Sequence, residues 1–189
     1  MKRTHVAAVV LLSFSAAELA AQDAYRVLAT SRTSTMQKEM SDAAAAGYQF
    51  VGAMGGDTAF GGNEVVTTLM ARTADGRPRY EYRLLATSKT STMQTELQHA
   101  ADAGFEFVAQ TVFQSSFGGR EVAVLLERDT DIPAVKRYEY RLLATSRTST
   151  LQKELEQRAQ AGFQALAMTV GQTAIGGQEL VVITRRLLR

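Results

Sequence analysis

Three short runs of the sequence are rich in hydroxyl groups, and each contains one cation that could help to bind a ligand. Hydroxyl groups, a cation and the unpaired N–H groups at the start of a helix together suit a small anion. Each run is expected to lie near a loop with a glycine pair, at Gly61-Gly62, Gly118-Gly119 or Gly176-Gly177. The predicted ligand-binding residues are Ser31, Arg32, Thr33 and Ser34; Ser88, Lys89, Thr90 and Ser91; and Ser146, Arg147, Thr148 and Ser149.

The same residues also have a purely structural explanation, which is preferred because helix caps are far commoner than ligand sites. Ser34 stands three residues before Gln37, the spacing of a capping box, and Ser91-Gln94 and Ser149-Gln152 repeat it. Arg32 is then expected to pair with Glu64 across adjacent strand ends. The corresponding pairs are Lys89 with Glu121 and Arg147 with Glu179.

Catalysis finds little support in the residue types. The chain has no cysteine, and His99 is the only histidine after residue 21. Histidine and cysteine clusters of metal-binding spacing are therefore missing, and the hydroxyl groups have no obvious activating base. We predict that the protein is not an enzyme and uses no metal or cofactor. A hydrolase with an unrecognised hydroxyl-based site is a further hypothesis.

The first 21 residues have the pattern of an export signal. Lys2 and Arg3 precede the apolar run Val6–Phe14, and small residues follow as far as Ala21. An apolar run of this length is too short to span a bilayer. We predict cleavage near Gln22, a location in the periplasm or outside the cell, and no membrane anchor after cleavage.

The charge balance argues against nucleic-acid binding. Loss of residues 1–21 would leave a net charge near +1, against +2 for the whole chain. Nucleic-acid binding needs a concentrated basic face, and none is evident.

The rest of the chain contains three copies of one sequence repeat of about fifty residues. Tyr25–Thr73, Tyr82–Thr130 and Tyr140–Leu188 align without a gap. Any strand or helix found in one unit must therefore recur in the others. The predicted organisation is a signal peptide over residues 1–21 and repeats over residues 25–73, 80–130 and 138–188.

Each unit is predicted to be β-α-β-β. An opening strand such as Tyr80–Thr87 alternates with period two. The following helix carries apolar residues at helical spacing and ends at Gly47, Gly104 or Gly162. Two more strands follow, the last returning between the first two to give the strand order 1-3-2 in an α+β fold.

The third strand predicts how the units pack. Val122, Val124 and Leu126 lie on one face and Ala123 and Leu125 on the other, so both faces are expected to be buried. One helix covers one face only. We therefore expect the three sheets to meet around a pseudo-threefold axis with helices outside. The alternative is an open nine-stranded sheet.

A recurring arginine at the second position of each unit is expected to lie on the sheet face away from the helix. These residues are Arg26, Arg83 and Arg141. On that face they would lie near the shared interface and need partners there.

Two short motifs resemble a known family. Tyr80-Glu81-Tyr82-Arg83 and Gly104-Phe105-Glu106-Phe107-Val108 are similar to the "YEYK" and "GWELV" motifs of small bacterial β-α-β-β domains of unknown function. The family tryptophan is replaced by Tyr48, Phe105 and Phe163. The resemblance implies the fold of each unit and supplies no activity.

These observations favour an exported, non-enzymatic protein that binds an unknown protein or small anionic ligand. The alternative is a small-anion or glycan binder that uses the hydroxyl-rich loops. Oligomers are possible in either case.

Overall fold

The computed structural model describes residues 23–58, 62–72, 77–87, 89–114, 120–132, 137–172 and 177–188. The predicted export signal lies outside these residues. The first unit contains β1 (Tyr25–Thr30), α1 (Thr33–Ala45), β2 (Tyr48–Thr58) and β3 (Gly62–Ala71). The second contains β4 (Tyr80–Thr87), α2 (Thr90–Asp102), β5 (Glu106–Gln114) and β6 (Arg120–Asp129). The third contains β7 (Arg137–Thr145), α3 (Thr148–Gln160), β8 (Gln164–Gln172) and β9 (Gln178–Leu188).

Each unit forms its own three-stranded sheet, and the predicted α+β class and β-α-β-β order are confirmed. The strand orders are β1-β3-β2, β4-β6-β5 and β7-β9-β8. Both outer strands run antiparallel to the central one, so they are parallel to each other. The first strand of every unit is consequently an edge strand.

The three helices bury the predicted apolar faces to different extents. Met36, Met40, Ala43 and Ala44 are buried in α1, and Met93, Leu97, Ala100 and Ala101 in α2. In α3 only Leu151 is buried, whereas Ala159 is exposed. The predicted glycines end the helices in the left-handed conformation, with φ of 83° at Gly47, 86° at Gly104 and 82° at Gly162.

The capping-box prediction was wrong. The helices begin at Thr33, Thr90 and Thr148, and the preceding Arg32, Lys89 and Arg147 occupy the N-cap position without a side-chain cap bond. A threonine at the strand end turns the chain instead: the hydroxyl of Thr30 accepts from the N–H of Arg32 at 3.2 Å. Thr87 and Thr145 repeat this bond. The glutamines have a different partner, described below.

The first two helices each lie between two sheets. We call the face of a sheet that carries its own helix the helix face, and the opposite face the far face. Met36 and Met40 of α1 share a core with Val65 and Leu69 on the helix face of β3. The same core contains Ala123 and Leu125 from the far face of β6. Helix α1 therefore covers one face of each of two neighbouring sheets.

The second helix repeats this arrangement one unit further along. Met93 and Leu97 pack against Val124 of their own sheet and against Val181 and Ile183 on the far face of β9. The third strand is thus buried on both faces in units 2 and 3, as predicted. Among the described residues no comparable contact joins α3 to β1, so the three units form an open series rather than a closed ring.

The sheets also contact each other directly along their second strands, β2 against β5 and β5 against β8. A Cβ added to Gly55 of β2 would lie 2.2 Å from the carbonyl oxygen of Val112 in β5. Further along, the Gln110 amide donates to the Thr169 hydroxyl at 2.7 Å. The sheets therefore pack directly on each other, as predicted, along their second strands. Away from these strands, α1 and α2 lie between neighbouring sheets.

The predicted face of the recurring arginines was wrong. Arg26 is paired with Leu69 and Arg83 with Leu126, which places both arginines on the helix face. Their guanidinium carbons lie 4.3 Å from the Tyr48 ring centroid and 4.5 Å from that of Phe105. Arg141 lies on the equivalent face. The tyrosine of each first strand lies on the far face instead. In units 2 and 3 the preceding helix packs on that face and buries the tyrosine.

Candidate functional site

The predicted hydroxyl-rich loop ends lie at the surface. Arg32, Lys89 and Arg147 are exposed, as are Ser34, Ser91 and Ser149. Ser31, Thr33, Thr90, Ser146 and Thr148 lie beside them, whereas Ser88 and Gly61, Gly118, Gly119 and Gly176 fall outside the described residues. The ion pairs of the described residues do not include Arg32–Glu64, Lys89–Glu121 or Arg147–Glu179. Anion binding at these loops stays a prediction.

The glutamine in each of the first two helices bonds to the edge strand of the next unit. Gln37 Nε2 donates to the carbonyl of Tyr82, and its Oε1 accepts from the N–H of Leu84, both at 2.5 Å. Gln94 makes the same pair of bonds with Tyr140 and Leu142, at 2.9 and 2.7 Å. A side-chain amide therefore satisfies main-chain groups at an edge that would otherwise be open to another strand.

A tyrosine hydroxyl completes each junction between units. The N–H of Phe50 donates to the Tyr82 hydroxyl at 2.7 Å, and that hydroxyl donates to Glu127 at 2.8 Å. At the next junction the N–H of Phe107 donates to the Tyr140 hydroxyl at 3.0 Å. Phe50 and Phe107 each adjoin a β-bulge, which interrupts the ladder with the central strand.

The carboxyl of Glu127 is held in this junction at an energetic cost. Burial raises its pKa above the ordinary value, although bonds from the Tyr82 hydroxyl and from Gln49 at 3.1 Å oppose the shift. Burial raises the pKa of the Tyr82 phenol as well. At the next junction the position of Glu127 is taken by Arg185, which pairs with Glu106 at 3.4 Å. The junctions thus share a hydrogen-bond scheme and differ in charge.

A cleft of about 600 Å³ runs along the free edge of β4, between α1 and the start of β5. Gln37, Ser41 and Ala45 of α1 form one wall. The other wall contains Tyr80–Arg83, Phe105 and Arg128. A volume of this size is in the range of small-molecule sites.

Two guanidinium groups flank the aromatic ring at the base of this cleft. The guanidinium carbons of Arg83 and Arg128 lie 4.5 and 4.8 Å from the Phe105 ring centroid. Arg128 is paired with Glu81 and donates to the carbonyl of Ala103 at 2.9 Å. Arg83 is exposed and, within the described residues, forms no ion pair. The cleft therefore presents a cation that a ligand can reach.

The corresponding cleft between units 2 and 3 is filled. Gln98 and Asp102 stand where Ser41 and Ala45 stand in unit 1. Gln98 accepts from the N–H of Tyr140 at 3.0 Å and donates to the carbonyl of Tyr138 at 3.2 Å and to Asp102 at 2.8 Å.

The arginine in that second position is also neutralised. Arg141 and Arg186 both pair with Glu139 at 2.6 Å. Burial opposes ionisation of Glu139, yet the bonds from the two arginines hold its pKa below the ordinary value. The first cleft is open because it has Ser41 and Ala45 in place of Gln98 and Asp102. It is cationic because Arg83, within the described part of the chain, lacks the ion pair that Arg141 makes with Glu139.

Main-chain groups of β4 also face the open cleft. Tyr82 and Tyr140 occupy the same register in their sheets, opposite Glu127 and Arg185. Since the N–H of Tyr140 points out of its sheet to Gln98, the N–H of Tyr82 points out in the same way. Ser41 does not replace Gln98, because its hydroxyl donates to the carbonyl of Gln37 at 2.8 Å.

The sequence did not lead to these residues as a site. The recurrence of Gln37 and Gln94 was explained by capping, and Arg83 was placed on the wrong face. The available signal was the departure of Ser41 and Ala45 from Gln98 and Asp102 in otherwise similar helices. Internal alignment exposes such a departure, but only the structure shows that both positions face the next unit.

No group of histidine, cysteine and carboxylate residues within the described ranges could hold a metal ion. Within the same ranges no helix is long and apolar enough to cross a membrane. No protein-family model, curated protein or solved structure matches the chain. The resemblance to small β-α-β-β domains accordingly stays a prediction.

Proposed function

We propose that this protein is a non-enzymatic, exported binding protein whose ligand occupies the cleft between units 1 and 2. The observation that carries the proposal is the exposed guanidinium of Arg83 beside the outward N–H of Tyr82, in a cleft whose counterpart is filled by the protein's own side chains. A cation and an N–H donor together suit a carboxylate or another small oxyanion. The ligand class is therefore a small molecule or chain end that carries such a group.

The filled cleft indicates which contacts the ligand makes. Gln98 offers an amide oxygen to the N–H of Tyr140 and an N–H to the carbonyl of Tyr138. A ligand with an acceptor and a donor at similar spacing would make the same two bonds with Tyr82 and Tyr80. Its negative group would then lie near Arg83, a position that Glu139 occupies for Arg141.

Closing the cleft is expected to abolish binding. The double variant S41Q/A45D introduces the side chains that the second cleft already accommodates, so the fold should be retained. Acetate, citrate and phosphate serve as probes in a titration followed by the amide NMR signal of Tyr82 and the Nε–H signal of Arg83. Saturable shifts are expected in the wild type and none in the double variant.

The reciprocal variant Q98S/D102A provides the matched control. It opens the second cleft, and a new response is expected at the amide of Tyr140. Ionic strength is held constant with chloride throughout. Equal responses in the wild type and S41Q/A45D would show general screening of charge and would refute binding in the cleft.

Export is the second part of the proposal and rests on the order of basic, apolar and small residues in the first 21 positions. Protein purified from its native host is expected to begin at or near Gln22. N-terminal sequencing of fractionated cells measures this. An intact Met1 on cytoplasmic protein would contradict export and leave the cleft proposal unaffected.

A further inference from the structure

We propose that copies of this chain associate head to tail, with α3 of one copy docking on the far face and free edge of the first sheet of another. The inference is independent of the ligand cleft. It rests on one interface that the molecule builds twice internally and that the described residues leave unmatched at both ends of the series.

The repeated interface has the same parts each time. A helix packs on the far face of the next sheet, and its glutamine bonds the edge strand, as Gln37 and Gln94 do. The tyrosine of that strand is buried by the contact: Tyr82 is 4% exposed and Tyr140 is 0% exposed. The tyrosine hydroxyl then accepts an N–H from the preceding unit.

The receiving half of this interface is the far face and free edge of a sheet. The first sheet has such a face and edge, but no helix from the described residues packs on them. Tyr25 corresponds to Tyr82 and Tyr140 but is 57% exposed, and Val27 is 65% exposed. The register of β1 on β3 matches that of β4 on β6, with Tyr25 opposite Met70 as Tyr82 is opposite Glu127. The carbonyl of Tyr25 and the N–H of Val27 therefore point out of the sheet edge, as those of Tyr82 and Leu84 do.

The third helix corresponds to the other half of the interface, the helix with its glutamine, which we call the donating half. Gln152 corresponds to Gln37 and Gln94, but it bonds Glu156 on its own helix at 2.7 Å. Ala159, which corresponds to the buried Ala44 and Ala101, is exposed. The two halves lie at opposite ends of the series, so a helix of one copy meets the strand of another. Such a heterologous contact adds copies without using up the ends.

One side chain makes this contact weaker than the internal ones. Glu156 takes the position of Gln98, whose amide bonds the main chain of β7. A carboxylate at this position can accept from an N–H of the receiving strand but cannot donate to its carbonyl, so one bond of the internal interface is lost. The association is therefore expected to be weaker than the internal contacts and to tighten in the variant E156Q.

Blocking each end separately tests the geometry. The variant Y25R spoils the receiving end and Q152R the donating end, and both changes fall on exposed surface. Sedimentation velocity from micromolar to millimolar concentration is expected to show wild-type association and monomers for each variant alone. An equimolar mixture of Y25R and Q152R retains one good end of each kind and is expected to form dimers of two chains and nothing larger.

Other arrangements give different results. Dimers of Q152R alone would show that two first sheets pair with each other, which would overturn the head-to-tail contact. A wild type that is monomeric over the whole range, with E156Q also monomeric, would overturn it as well. Lys153, which is exposed on α3, supplies the control variant K153A, expected to associate like the wild type. If Y25R fails to fold, V27E replaces it.

Discussion

A fragment that contains only the middle unit, residues 80–130, is expected to be unfolded or oligomeric. Its central strand has two fully buried faces, with Val124 and Leu126 against α2 and Ala123 and Leu125 against α1. The fragment lacks α1, so the second face would be open to water. A core of about fifty residues rarely supplies more than about 3–5 kcal/mol of stability even when intact. Circular dichroism and NMR dispersion measure the outcome.

A two-unit fragment covering residues 23–130 supplies the control. It keeps α1 between the first two sheets and loses only the third unit, so it is expected to fold, with lower stability than the whole chain. A stable, monomeric and well-dispersed middle unit would show that the units do not depend on a shared core.

The variant Gly55→Ala is expected to destabilise the whole molecule. The added Cβ would lie 2.2 Å from the carbonyl oxygen of Val112 and 2.8 Å from its carbonyl carbon. Both obstructing atoms are main chain, so β2 and β5 must separate. Overpacking of this kind costs about 1–3 kcal/mol, and sometimes more. For a chain of this size each kcal/mol lowers the melting temperature by about 2–4 °C.

Gly52→Ala on the same strand is the matched control. A Cβ at Gly52 has nothing within 4 Å, and its φ is not in the left-handed region. Its free energy of unfolding is expected to change by less than about 0.5 kcal/mol. Equal melting temperatures for the two variants would mean that the second strands do not pack backbone to backbone.

The fold of one unit was predictable from the residue pattern, because its helix and strands depend on local signals. Apolar spacing gave the helix face, and the glycine at Gly47, Gly104 and Gly162 gave the helix end, since only glycine adopts a positive φ without strain. The return of the third strand between the first two also followed from short connections. Three aligned copies strengthened the assignment of helices and strands, because the same elements had to suit all three sequences.

The candidate site could not be predicted in the same way. A glutamine three residues after a serine satisfies a capping box as well as it satisfies a distant strand edge, and sequence spacing cannot separate the two. Gln37 bonds the carbonyl of Tyr82 and the N–H of Leu84, because these main-chain groups lie at the edge of the sheet with no other described strand beside them. Arg83 was misplaced for a related reason: both faces of β4 contact packed side chains, so alternation alone does not say which face carries the helix.

The way in which successive units pack on one another depends on contacts between residues far apart in the sequence. The doubly apolar strand β6 required a second cover, but its sequence is equally compatible with a sheet or a helix on that face. The structure places α1 there, and among the described residues α1 and α2 each pack against two sheets whereas α3 packs against one. Tyr25 and Tyr140 belong to the same motif, yet one is exposed and the other buried. Their difference depends on which unit precedes each of them, and no local residue pattern contains that information.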